Sequence, residues 1–240
     1  MDDTDKFVVL GRMSAMLAHE IRNPLAGISA VTQVLEGKID STDPRQKYVK
    51  LIMKEIDRVN KIVHDLLDYT REARPYFIRT KITSVVETAL VCHCGKLDEK
   101  GIRLERDYVA EIPQIEVDQE KMQHVFANII ENAVEAMDTN GRLRISVGIN
   151  DKARTIGGEV EIAFSDDGRG SALEDLNEMF SPFYTTKTKG TGLGLAVSSK
   201  VVEQHNGRLA VAANPDKGLV FKVFLPMKQP CEETSSKQEE

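Results

Sequence analysis

Val49-Lys50-Leu51-Ile52-Met53-Lys54-Glu55-Ile56-Asp57-Arg58-Val59-Asn60-Lys61-Ile62-Val63-His64-Asp65-Leu66 sets the architecture of the N-terminal part of the chain. Val49, Ile52, Ile56, Val59, Val63 and Leu66 follow one another at steps of three and four, the seam of helices that pack as coiled coils. Asp43 precedes them as an N-cap, with Pro44 at the first helical position. Upstream, Leu10, Met13, Leu17, Leu25, Ile28, Val31 and Leu35 keep mostly the same steps, which predicts one amphipathic helix over residues 6–39. Asp40-Ser41-Thr42-Asp43-Pro44 is a short connection, so the two helices form an antiparallel hairpin. A lone hairpin cannot bury a seam of this length. Pairing with a second copy gives a symmetric four-helix bundle, so a homodimer through residues 6–72 is expected. Packing of the hairpin on the remainder of its own chain is the competing arrangement.

Within the first helix lies His19-Glu20-Ile21-Arg22-Asn23-Pro24. Residues four apart are neighbours on a helix, so His19 and Asn23 share a face. Glu20 is about 100° round the helix and meets the imidazole only sideways. Pro24 removes a backbone hydrogen bond at a cost of roughly 3 kcal/mol in a helix interior, and a bend there would open the bundle beside His19. Acid, amide and proline gathered around one histidine suit an imidazole that reacts.

After Arg74-Pro75 the pattern changes. Residues 82–97 read as a helix, 102–108 and 114–117 as short strands, and 119–137 as a strong helix. Residues 143–149 and 159–164 alternate like strands, with 150–158 as a hairpin turn. Residues 193–205 are helical again, followed by strands at 208–213 and 219–225. Helices and strands so mixed predict a two-layer α/β sandwich. The expected domains are residues 1–75, a helical hairpin forming a dimeric four-helix bundle; 76–228, the sandwich; and 229–240, a polar disordered tail.

The chain has 240 residues, enough for two cores, and a net charge of −6. Residues 229–240 hold four Glu against one Lys and so supply −3 of it, leaving a nearly neutral body with no basic field for nucleic acid. No apolar run approaches the roughly 20 residues that cross a bilayer, and Met1-Asp2-Asp3-Thr4-Asp5 is not a signal peptide. Cys92, Cys94 and Cys231 lack zinc-type spacing and fit a reducing compartment. A soluble, cytoplasmic chain is therefore expected.

Four segments of the second domain form one chemical set. Asn128-Ile129-Ile130-Glu131-Asn132 places two amides four apart on a helix face, with Glu135 three beyond. An amide oxygen is a neutral, hard ligand that suits Mg²⁺, with Asn132 the chosen metal ligand and Asn128 near the phosphates. Asp166-Asp167-Gly168-Arg169-Gly170 follows an apolar strand. There Asp166 can accept from the exocyclic amine of adenine, and Gly168 and Gly170 let a flat base approach. Gly190-Thr191-Gly192-Leu193-Gly194 opens a helix, whose amides and dipole favour phosphate. Phe180-Ser181-Pro182-Phe183-Tyr184-Thr185-Thr186-Lys187 lies between, with Thr186, Lys187 and Lys189 set to meet phosphate charge. Alone, each segment reads as a turn, a cap or a surface amide. Their order within one domain points to a nucleotide site.

Taken together, these residues resemble the catalytic core of a bacterial two-component sensor histidine kinase, over nearly all of residues 10–226. The run from His19 resembles that family's H-box, Asn128 and Asn132 its N-box, Asp166 to Gly170 and Gly190 to Gly194 its glycine boxes, and Phe180 to Phe183 its F-box. The Thr-Thr-Lys lid is similar to that of the nitrogen-regulation branch. The resemblance implies a dimerisation and phosphoacceptor hairpin joined to a Bergerat-type ATP-binding domain. ATP with Mg²⁺ would phosphorylate His19, and the phosphoryl group would pass to an aspartate of a response regulator. Glu20 would orient the imidazole, and Asn23 matches the position that helps place water for dephosphorylating the regulator. The regulator would dock on the first helix near residues 13–17 and below His19. Departures from the family pattern are Ser171-Ala172 after Gly170 and Gly218-Leu219-Val220-Phe221, which lacks the frequent Gly-x-Gly-Thr.

Two other readings compete. An ATP hydrolase of the gyrase and chaperone kind carries a general-base glutamate where Asn128 stands here. A dimeric scaffold that binds nucleotide without transferring it would also carry the pocket. His64, His93, His124 and His205 have no acid, amide and proline around them and read as ordinary helix residues, and the methionines as packing filler.

Overall fold

The computed structural model describes residues 3–40, 42–70, 74–150, 158–187 and 190–229; the side chains of residues 3–19, 173, 174 and 177 lie outside that description. The chain forms two compact units, Met1–Ala73 with Pro182–Val197, and Arg74–Ser181 with Ser198–Glu240.

In the first unit, α1 (Asp3–Lys38) and α2 (Gln46–Thr70) pair as the expected hairpin. The first helix continues through Pro24 without a break. The second starts two residues beyond Pro44, which corrects the expected onset. Asp43 Oδ1 accepts from the Arg45 N–H at 2.8 Å and the Asp43 carbonyl from the Gln46 N–H at 3.0 Å, so Asp43 closes a turn and the helix follows it. Val49, Ile56 and Val63 are buried between the helices, together with Thr32, whose hydroxyl donates to the Ile28 carbonyl at 2.7 Å. One hairpin covers one side of its helices only. Ile28, Val31, Val34, Leu35, Leu51 and Ile52 remain exposed, Ile52 at 45% despite its seam position.

The second unit is the α/β sandwich. Its elements begin with β1 (Ile78–Thr80), α3 (Ile82–Val91), α4 (Cys94–Glu99), β2 (Arg103–Tyr108), β3 (Ile115–Val117) and α5 (Gln119–Ala136). They continue with β4 (Arg142–Asn150), β5 (Glu159–Asp166) and α6 (Leu173–Glu178). The last are α7 (Gly194–Gln204), which starts in the first unit's sequence and ends in the second's, β6 (Arg208–Ala213) and β7 (Leu219–Pro226). The main sheet runs β2-β4-β5-β7-β6, parallel between β2 and β4 and antiparallel elsewhere, and β1 pairs with β3 in a small second sheet.

Strand alternation decides which face is covered. Leu143, Ile145 and Val147 of β4 are buried while Arg142 and Arg144 are exposed. Register aligns Ile145 with Phe164 and Phe164 with Phe221, so one apolar row crosses three strands. Met122, Val125, Phe126, Ile129, Ile130, Ala133 and Val134 of α5 form its buried stripe, and the Phe126 and Phe164 rings lie 5.6 Å apart.

The expected single helix over 82–97 is two helices. His93 turns inward, 7% exposed, with its ring Nδ1 2.9 Å from the Ala89 carbonyl, and its own N–H takes the Leu90 carbonyl in a tighter turn. Satisfying a buried ring is what breaks the helix. Of the expected turn over residues 150–158, residues 151–157 lie outside the described residues, as do Lys189 and residues 230–240 with Cys231. Gln229, expected to open the disordered tail, is instead held, its Nε2 donating to the Glu116 carbonyl at 3.0 Å and the His205 carbonyl at 3.2 Å. Cys92 and Cys94 are free, exposed thiols. Among the described residues, no helix is long and apolar enough to cross a membrane.

Candidate functional site

On the hairpin, the α1 backbone carries His19, Glu20 and Asn23 within consecutive turns. Glu20 and Asn23 are exposed; the His19 side chain lies outside the described residues, as do those of residues 13–17. Below His19 a groove of about 650 Å³ runs between the helices, lined by Arg22, Ser29 and Gln33 of α1 and Asn60, Lys61 and His64 of α2. No carboxylate lines it, so its polar character is cationic and neutral.

On the sandwich, Asp118 caps α5, its Oδ1 accepting from the Lys121 N–H at 3.1 Å. With the stripe from Met122 to Val134 turned to the sheet, Asn128 and Asn132 fall together on the other side of the helix, both half-buried. Asn128 Nδ2 donates to Ser198 Oγ of α7 at 3.0 Å. Two neutral amide oxygens one turn apart fit a small divalent cation that draws its other ligands from phosphate and water.

Asp166 ends β5 and is 2% exposed. Its Oδ1 accepts from the Gly168 N–H at 2.9 Å and the Leu219 N–H at 3.4 Å. Burial pushes its carboxyl above the usual range, with those two amides opposing. Asn214 Nδ2 donates to the Asp166 carbonyl at 2.9 Å and to Ser165 Oγ at 3.1 Å, tying the strand end to the turn before β7. Gly218 sits at φ +91°, and a Cβ there would collide with the Asp166 carbonyl, so this turn admits only glycine. The turn holding Gly168 and Gly170 is drawn to the end of α5, the Arg169 N–H donating to the Ala136 carbonyl at 3.1 Å. Asp167 Oδ1 accepts from the Arg142 N–H at 2.8 Å and anchors the same turn to β4.

Thr186, Lys187 and Gly190 to Gly194 belong to the first unit. The Lys187 N–H donates to Thr185 Oγ1 at 3.1 Å, the Gly190 N–H to the Lys187 carbonyl at 3.3 Å, and the Leu193 N–H to Thr191 Oγ1 at 3.2 Å. Gly192, at φ +68°, lies so close to the Phe183 backbone that a Cβ would overlap it, and the Phe183 N–H donates to the Gly192 carbonyl at 2.9 Å. Gly194 then starts α7, with Leu193 buried just before it. Thr191 Oγ1 also donates to Asp65 Oδ2 of α2 at 3.5 Å. Burial raises the Asp65 carboxyl.

The structure thus brings Asn128 and Asn132 onto one helix and Gly168 and Gly170 to its end, while Thr186, Lys187 and Gly190 to Gly194 belong to the first unit. Sequence reasoning missed Ser198, Asn214 and His205. His205 is fully buried, its Nδ1–H donating to the Val201 carbonyl at 2.7 Å and its Nε2 accepting from the Asp118 N–H at 2.9 Å. Its one available signal was position, at the end of a helix that opens with a glycine-rich turn.

Residues 9–74 match the His Kinase A (phospho-acceptor) domain family, and residues 117–229 match the histidine kinase-, DNA gyrase B- and HSP90-like ATPase family. The signal transduction histidine-protein kinase AtoS of Escherichia coli is 32% identical over 232 residues, 95% of this chain and 36% of AtoS. The sensor histidine kinase ZraS of the same species is 30% identical over 95% of this chain and 48% of its own length. The chain therefore spans between a third and a half of these relatives. The histidine kinase ThkA, solved in complex with the response regulator protein TrrA, superposes with a TM-score of 0.67 at 27% identity, covering 93% of this chain and 64% of ThkA.

Proposed function

Because this chain belongs to the sensor histidine kinases of two-component systems, we propose that it binds ATP in residues 76–228, phosphorylates His19 in the hairpin of residues 1–75, and passes the phosphoryl group to an aspartate of a response-regulator receiver domain. The observation that carries the nucleotide reading is Asp166. One of its carboxylate oxygens is held by two backbone amides, and the buried carboxylate can accept from an exocyclic base amine through the other.

In this reading Asn132 holds Mg²⁺ through its amide oxygen, with Asn128 beside it. The cation neutralises phosphate charge when bound. Thr186, Lys187 and the amides of Gly190, Thr191, Gly192, Leu193 and Gly194 hold the phosphates by charge and hydrogen bonding. Gly168 and Gly170 leave room for the base. The His19 imidazole, in its neutral form, attacks through its distal nitrogen. A nitrogen–phosphorus bond forms as the bond to the ADP oxygen breaks, and the ring's other proton passes to Glu20, which also orients it. In the second step a receiver aspartate oxygen attacks phosphorus, the nitrogen–phosphorus bond breaks, and the imidazole recovers its proton. Asn23 positions water for the opposing dephosphorylation of the regulator.

The exposed Ile28, Val31, Val34, Leu35, Leu51 and Ile52 support a homodimer through residues 6–72, and the cationic groove below His19 suits a receiver surface. We place the chain's activity in the cytoplasm. ThkA is a histidine kinase solved with a response regulator protein, which supports the receiver as partner. Hydrolase and scaffold are less favoured, because Asn128 offers no base for water and the chain carries a phosphoacceptor-type hairpin. The test is transfer: protein preincubated with γ-labelled ATP and stripped of nucleotide hands its label to a purified receiver domain within minutes. Label that never leaves the kinase for any receiver of a full panel overturns the transfer step.

A further inference from the structure

Two helices carry the motifs of the sandwich's nucleotide site, and they are clamped by three polar contacts along their length. The Asp118 N–H donates to His205 Nε2 at 2.9 Å, Lys121 Nζ to Gln204 Oε1 at 3.4 Å, and Asn128 Nδ2 to Ser198 Oγ at 3.0 Å. Lys121 and Asn128 are seven residues apart on α5, as are Ser198 of α7 and His205 just past its end, so each helix turns the same face to the other. The clamp at His205 admits one tautomer only, since its Nδ1–H is committed to the Val201 carbonyl. Register at Ser198 is thereby fixed from a distance of two turns.

At that register stands a hydroxyl, 2% exposed, on a helix that also buries Ala196 and Val202. A buried hydroxyl costs stability unless it is hydrogen-bonded. Its partner is the amide of Asn128, whose two ends are chemically opposite: the NH₂ group attracts phosphate oxygens, the carbonyl oxygen attracts cations. Bonded by its nitrogen, the amide turns its carbonyl oxygen away from α7.

We propose that Ser198 is a positioning residue, which holds the Asn128 amide so that it offers its oxygen to the divalent cation accompanying the nucleotide rather than its NH₂ group to the phosphates. This rests on the nucleotide reading of the site. It also revises the role of Asn128, from a phosphate neighbour to a second cation ligand beside Asn132. Ser198 itself touches neither.

The experiment is binding of a fluorescent ATP analogue to the whole chain, titrated with Mg²⁺ and repeated in EDTA, for wild type, Ser198→Ala, Ser198→Thr and Ser198→Val. Thr and Val share a shape and differ by the hydroxyl, so that pair isolates the hydrogen bond even if the Ala variant folds poorly. Ser198→Val is expected to raise the Mg²⁺ needed for half-maximal binding about tenfold, as losing the support of a metal ligand does. Binding in EDTA should be unchanged, and Ser198→Thr should behave as wild type. In an Asn128→Ala background the Ser198→Val change should add nothing, because its effect travels through Asn128. Wild-type Mg²⁺ dependence in Ser198→Val overturns the inference, and so does equal weakening with and without Mg²⁺. A wild type that binds no nucleotide overturns the site reading itself.

Discussion

In the proposed site, Asp166 would serve binding at the expense of the empty fold. Burial raises its carboxyl, so the folded chain holds that proton more tightly than the unfolded chain does. Stability then falls as pH rises above the ordinary carboxylate value, because the unfolded state ionises first. Asp166→Asn keeps an oxygen for the Gly168 and Leu219 amides and removes the charge. We expect its thermal midpoint without nucleotide to equal or exceed wild type at pH 8, while nucleotide affinity falls at least tenfold; calorimetric melts and fluorescent-nucleotide titration check both. His205 titrates the other way. Burial lowers its pKa below the usual 6.5, so its contribution is complete above about pH 6.5 and is lost as pH falls. His205→Ala orphans the Asp118 N–H, while the Val201 carbonyl keeps the backbone N–H of residue 205, and should cost roughly 1–3 kcal/mol, with a flatter acid limb in urea unfolding between pH 5 and 7. The place of Asp166 at a strand end was legible in sequence, because an apolar strand and flanking glycines marked it. Ser198 and His205 were not, since a lone serine or histidine on a helix means nothing until the facing helix is known.

Long amphipathic elements were legible at the next scale. The strand over residues 208–213 was read to the residue, and α5 to within one, the helix because it presents a complete apolar stripe. The misses have physical causes: β1 is three residues long, too short for alternation to register, and α6 has only six. The break at Cys92-His93 depends on where a buried ring finds an acceptor, which periodicity does not contain. The end of α5 is likewise set from afar. Lys100 Nζ donates to the Val134 and Met137 carbonyls at 2.7 and 2.8 Å, satisfying orphan groups of the last turn. The stripe of α5 makes the strongest stability prediction. Phe126 is fully buried against Phe164, and Phe126→Ala should cost about 3–5 kcal/mol, read as a lower urea midpoint with an unchanged denaturant slope.

For the whole molecule, the division into a helical hairpin and an α/β sandwich was legible before any coordinates, and the proposed labour follows it: the hairpin for a reacting histidine, the sandwich for the nucleotide. The exposed stripe from Ile28 to Leu35 explains why the hairpin's seam is only partly filled within one chain. Charges there should prevent pairing, so Ile28→Lys with Val31→Lys is expected to turn a micromolar dimer into a helical monomer by light scattering and circular dichroism. The central claim is that His19 takes the γ-phosphoryl group of ATP, and the most direct measurement is the chemistry of the label on protein incubated with γ-labelled ATP. The account predicts a label stable to alkali, lost in acid, and absent from a His19→Gln variant that still binds nucleotide. An acid-stable label, a label that persists in His19→Gln, or none on a folded, nucleotide-binding wild type would contradict it.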